Sequence, residues 1–161
     1  MALDHTVSRL KKNRTEIISY TFLMFLLAFT QFTQCNFRIY ERKIFLALIS
    51  LQDKNIKSSE LDAIWKNMSN DARAAEICFY IIGIIFYTWI SYRIITAKVH
   101  PGSMLLWTVA VYLILFFIFF LLQRNYTDLN LIYPIYISFA VSLLQIATAV
   151  LKKKHRDRTE L

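Results

Sequence analysis

The sequence predicts an all-α integral membrane protein, a four-helix (tetraspan) bundle with a short amphipathic helical segment in its first outer loop. Three observations carry that expectation. Four long apolar runs hold almost no charge, 57% of the 161 residues are apolar, and only two Gly and two Pro interrupt the chain. A soluble domain of this size could not bury so much apolar side chain and still cover itself with polar surface. The whole of 1–161 therefore reads as one membrane domain, with spans at about 17–37, 77–97, 104–123 and 131–151, each near the roughly 20 residues that cross a hydrocarbon core of about 30 Å.

The first span follows a polar tail that holds Arg9, Lys11, Lys12 and Arg14. Its apolar run is longer than the core of a secretory signal peptide and closes on Thr33, Gln34 and Cys35, so a retained span is expected. Residues 38–76 form the outer loop, where basic and acidic side chains nearly cancel. Within it, Ile44, Phe45, Leu48, Ile49 and Leu51 have helical spacing and predict a short amphipathic helix lying at the membrane interface. Ser59 with Asp62 resembles a capping box ahead of a second short helix with Leu61, Ile64, Trp65 and Met68 on one face. Asn67 to Ser69, with Asn70 and Asp71, are expected to end that helix.

The second span reaches Arg93, which is placed to snorkel towards water from the helix end. His100 to Ser103 make a tight connection to the third span, whose Phe116, Phe117, Phe119 and Phe120 suggest a lipid-facing surface. Residues 124–130 connect to the fourth span, and the chain closes on Lys152, Lys153, Lys154, Arg156 and Arg158. Short basic segments mark the cytosolic side, so both termini are expected there, with 38–76 and 124–130 outside. The formal charge of +8 flanks the spans and forms no stripe interleaved with stacking aromatics, so no nucleic-acid partner is expected.

Candidate sites follow from what packs helices in lipid, where small residues allow close approach and polar groups bond across the bundle. Ser138, Ser142, Gln145 and Ala149 lie on one stripe of the fourth span, and Gly83 offers a close approach on the second. They are candidates for helix packing or for contact with another integral membrane protein. Cys35 and Cys78 fall at adjoining span ends and are a candidate disulfide. Asn67 and Asn125 open sequons on the expected outer side and are candidate glycosylation sites. No catalytic, cofactor-binding or metal-ligating set is expected, since no acidic residue enters a span and His100 lacks partner ligands at metal spacing. Glu41-Arg42 begins the hallmark of the membrane-associated eicosanoid and glutathione metabolism family, but Ala47 is one position late and the required Asn does not follow.

A basic amino tail, Cys35 just after the first span, Leu115-Phe116-Phe117-Ile118-Phe119 late in the third span, a short second outer loop, an aromatic start to the last span at Tyr133 and Tyr136, and a terminal Lys152-Lys153-Lys154 run in that order. In this layout the chain resembles the transmembrane protein 107 family, tetraspan proteins of the ciliary transition zone. It departs from them in carrying Trp89 to Arg93 where that family tends to have an acidic residue, and in a longer charged tail. The resemblance implies a non-enzymatic scaffold or organiser of a transition-zone membrane complex, acting in ciliogenesis and the retention of ciliary membrane proteins. An endoplasmic-reticulum or Golgi assembly subunit is the alternative reading, and a small lipid-modifying membrane enzyme is a second.

Overall fold

The computed structural model describes residues 2–52, 59–96, 99–123 and 132–160, with side chains from Arg14 onward. Four helices make up these residues: α1 (Ala2–Gln52), α2 (Ser59–Ile95), α3 (Pro101–Gln123) and α4 (Tyr133–Thr159). All four are long and apolar enough to cross a membrane, and the chain is a four-helix membrane bundle. Successive helices run antiparallel, so the residues nearest both chain termini share one end with the α2–α3 connection.

Two helices exceed what a bilayer needs. At 1.5 Å per residue, the 51 residues of α1 and the 37 of α2 correspond to about 77 Å and 56 Å, against a hydrocarbon core of about 30 Å. The extra length corrects the expected outer loop. Residues 44–51 are not a separate helix lying on the membrane but the continuation of the first span, and 61–68 run without a break into the second. The physical reason is that nothing interrupts the backbone hydrogen bonding. Residues 2–52 contain no Gly or Pro, and Asn and Asp within a helix cost only about half a kcal/mol each. Asn70 and Asp71 accordingly sit exposed on α2 instead of ending it.

The two extensions are zipped together. Phe37, Glu41, Ile44, Leu48 and Leu51 on α1 are spaced 4-3-4-3, and Leu61, Trp65, Met68, Ala72, Ala75 and Phe79 on α2 are spaced 4-3-4-3-4, the repeat of a coiled-coil seam. None of these residues is exposed, and Ala72 is wholly buried. Phe45 flanks the seam with its ring 6.1 Å from that of Trp65. Arg38 ties the base, reaching Glu41 on its own helix at 2.9 Å and Glu76 on α2 at 3.3 Å.

Inside the spans the core gathers Met24, Leu27 and Ala28 of α1, Phe86, Ile90 and Ile94 of α2, Tyr112 and Leu115 of α3, and Ile135, Ile146 and Ala149 of α4. Helix α1 lies chiefly along α2, α4 touches all three others, and α3 is held mainly by α4. The expected lipid-facing character of the third span holds for Phe117 and Phe120, which are exposed. It does not hold for Phe116, which packs on Tyr136 and Phe139, or for Phe119, which meets Phe32. Phe116 and Phe119 are three residues apart on one helix face, and that face is the one turned to the bundle.

Candidate functional site

Three polar clusters stand out, and the first is the stripe on α4. Ser138, Ser142 and Ala149 are buried against the bundle. The Ser138 hydroxyl donates to the Pro134 carbonyl at 3.0 Å and lies 3.4 Å from the Leu27 carbonyl of α1. The Ser142 and Tyr112 hydroxyls share a hydrogen bond of 3.0 Å between α4 and α3. Gln145 donates through Nε2 to the Gly83 carbonyl on α2 at 3.0 Å, while its buried Oε1 has no partner among the described residues. This one stripe thus reaches all three other helices. Gly83 itself leaves room: an added Cβ would sit 3.5 Å from Gln145 Nε2 and 3.8 Å from Leu27 Cδ1, which is ordinary contact.

The second cluster is the extramembrane hairpin of α1 and α2. Hydrogen bonding from Arg38, aided by the Ser69 hydroxyl and the charges of Arg38 and Arg73, holds the Glu41 carboxyl below its ordinary value despite its partial burial. The hydrogen bond to Glu41 likewise raises Arg38. Phe45 at the flank of the seam, and Leu46 and Ile49 beyond it, stay exposed. Asn67 is exposed part-way along α2, whereas Asn125 lies outside the described residues. Cys35 and Cys78 are free thiols, Cys78 exposed and Cys35 half-buried with Gln31 donating to its sulfur at 3.6 Å.

The third cluster, at the end of the bundle nearest the termini, was not anticipated. Arg93 does not snorkel: it is only 9% exposed and pairs with Glu16 at the start of the α1 span. The guanidinium carbon also lies 6.0 Å from the centroid of Trp89, within the reach of a cation–π contact. Burial among apolar helices makes the carboxylate a better neighbour for this cation than distant water. Next to the pair, Tyr20 stacks on both Phe86 and Trp89 and joins hydroxyls with Thr108. Trp107 donates to the Thr21 hydroxyl at 2.9 Å. These contacts pin the start of α3 to α1.

His100 caps α3. Its Nδ1 accepts the Gly102 N–H at 3.2 Å, and its carbonyl accepts the N–H groups of Ser103 and Met104. Arg156 of α4 closes the far end of α2 by donating to the Ile95 carbonyl at 3.1 Å. Between α1, the end of α2 and the start of α3 lies a cleft of about 690 Å³. Apolar walls come from Ile17, Val99, Leu106 and the Trp89 and Trp107 rings, and Glu16, His100 and Ser103 bring polar groups. A signal for this cluster was present in the sequence. Glu16 precedes Tyr20, Met24 and Leu27 at spacings of 4, 4 and 3, which places its carboxylate on the core face of α1.

Among the described residues no group of three His, Cys, Asp or Glu side chains could hold a metal ion. No family model, no curated protein and no solved structure matches the chain.

Proposed function

We propose that this chain is a non-enzymatic multi-pass membrane protein that organises a membrane protein complex, and that its extramembrane hairpin is the surface it offers to partners. One observation carries the reading. Phe45, Leu46 and Ile49 are 47%, 56% and 40% exposed on a rigid coiled-coil arm, roughly 8 to 12 residues and so about 12 to 18 Å beyond the expected end of the first span. There they lie outside the hydrocarbon, where apolar side chains grouped on an ordered helix mark contact with another protein. A bundle held by interhelical hydrogen bonds supplies the stiff base that such an arm requires.

The layout resemblance to the transmembrane protein 107 family supports the ciliary transition zone as the place of work, with a role in ciliogenesis and the retention of ciliary membrane proteins. An endoplasmic-reticulum or Golgi assembly subunit would use the same surface at another address. An endogenously tagged chain is expected to concentrate at the ciliary base and to recover other integral membrane proteins on solubilisation. The triple variant Phe45→Glu, Leu46→Glu, Ile49→Glu should lose those partners while still inserting. Leu46→Glu with Ile49→Glu, which leaves the contact of Phe45 with Trp65 intact, separates lost docking from a loosened seam. A reticular distribution removes the ciliary address, and full partner recovery by the triple variant removes the hairpin as the docking surface.

A further inference from the structure

The cleft at the terminus-bearing end is large enough for a ligand and has a chemistry of its own. Its volume of about 690 Å³ falls within the roughly 300 to 1,000 Å³ of small-molecule sites. Among the described residues Glu16 is the only acidic side chain lining it. One carboxylate oxygen, Oε2, meets Arg93, and an ionised carboxylate can accept about four hydrogen bonds in all. The N-terminus of α3 is not an anion site here, since His100 already takes the N–H groups of Gly102, Ser103 and Met104. The same end of the bundle carries Arg14, Lys152, Lys154, Arg156 and Arg158, all exposed.

An occupant must therefore satisfy an acceptor inside the cleft, with apolar chains that run on between α1 and α3; the basic residues share this end of the bundle but none of them lines the cleft. The geometry points to an aminophospholipid, with its primary ammonium on Glu16 and its acyl chains along Leu106, Ile17 and Trp107. Phosphatidylethanolamine meets every term. A choline head has no N–H to give the carboxylate, and a serine head brings a second carboxylate against Glu16. Trp89 and Trp107 line the cleft, whereas Trp65 lies on the hairpin. The protein thus carries two reporters in the site and one outside it. The inference stands apart from the scaffold reading and does not need it.

The test uses the full chain with Trp65→Phe, reconstituted in phosphatidylcholine vesicles. Each preparation receives the same mole fraction of phosphatidylethanolamine, phosphatidylcholine or phosphatidylserine brominated at one acyl position, and tryptophan quenching is read. The expected result is an apparent enrichment of phosphatidylethanolamine of about threefold over phosphatidylcholine, the scale of one partly exposed ion pair. Glu16→Gln removes the charge that receives the ammonium and leaves Arg93 without its counter-ion, so phosphatidylethanolamine should lose its advantage over phosphatidylcholine and the serine head should no longer be disfavoured. Glu16→Asp should keep the ranking. Equal quenching by all three lipids in the unmodified site, a preference for the choline or serine head, or a Glu16→Gln variant that still favours phosphatidylethanolamine would each overturn the assignment. The ranking in the unmodified site is decisive on its own should a variant fail to insert.

Discussion

Glu16 and Arg93 are two opposite charges at the edge of a bilayer, and each is tolerable there because of the other. Removing one partner of a buried pair leaves an uncompensated charge, a cost of about 3 to 5 kcal/mol. Glu16 keeps 24% of its side chain exposed, so Arg93→Met should fall near the low end, about 3 kcal/mol, by thermal unfolding in detergent. Adding Glu16→Gln to that variant should restore part of the loss, and a double variant less stable than either single one would show that the pair is not coupled. Gln145 behaves differently because it is neutral. Gln145→Leu forfeits one interhelical bond, worth about 0.6 kcal/mol on average and at most about 1.7 in membrane proteins. Gly83→Ala should be tolerated or mildly stabilising in the same assay, since its Cβ meets only ordinary contacts and Ala is the better helix residue by about 0.5 to 1 kcal/mol. A loss above that of Gln145→Leu would mean that the two helices need a closer approach than the distances imply.

The hairpin of α1 and α2 is where single-residue chemistry becomes a property of an element. Glu41 has its carboxyl held below the ordinary value of 4.5 by Arg38. A depressed folded-state value contributes stability that is fully present above the unfolded value and is lost as pH falls through the folded one. Hydrogen exchange in 38–52 and 59–76 should therefore be unchanged from pH 7 to 5, after correction for intrinsic rates, and speed up below the unfolded value of 4.5. Glu41→Gln should flatten much of that response, and an acid response of equal size in the variant would assign it to other carboxylates. This element also shows what a sequence yields and what it hides. The four spans were legible because 17–37, 104–123 and 131–151 hold no charged residue and 77–97 holds only Arg93, near its end. Their extension was not, because a reading by hydropathy stops a helix where polar residues begin, at Arg38 and before Ile77. The signal that crosses those boundaries is the seam spacing from Phe37 to Leu51 and from Leu61 to Phe79, which is a pattern of positions and not of mean hydropathy. On the α4 stripe, Gln145 could be picked out by its polarity alone, but its partner could not. The acceptor is the backbone carbonyl of Gly83, and no side-chain type announces that.

For the whole molecule, antiparallel connection puts the residues nearest both termini at one end and the hairpin tip at the other, which leaves two possible orientations in the bilayer. Charge separates them. The terminus-bearing end holds Arg14 and the run Lys152, Lys153, Lys154, Arg156 and Arg158 close to span ends, with only Asp157 and Glu160 against them in the tail. Across the bilayer, the hairpin pairs its charges within and between helices, as in Arg38 with Glu41 and Glu76. Basic residues in short segments near span ends resist translocation, while longer segments cross largely regardless of charge. The expected orientation has both termini in the cytosol and the hairpin in the lumen or outside the cell. In sealed microsomes, tags at either end should then be fully digested by added protease, and a 38–76 fragment with its flanking spans should be protected. Asn67, exposed on the hairpin, gives a second readout, because its sequon meets the glycosylation machinery only on the lumenal side, before the coiled coil closes. A glycosidase-sensitive mass shift that disappears in Asn67→Gln would agree with the orientation. Protection of both tags together with digestion of the hairpin would invert it, and protection of one tag alone would mean that one of the four helices does not cross.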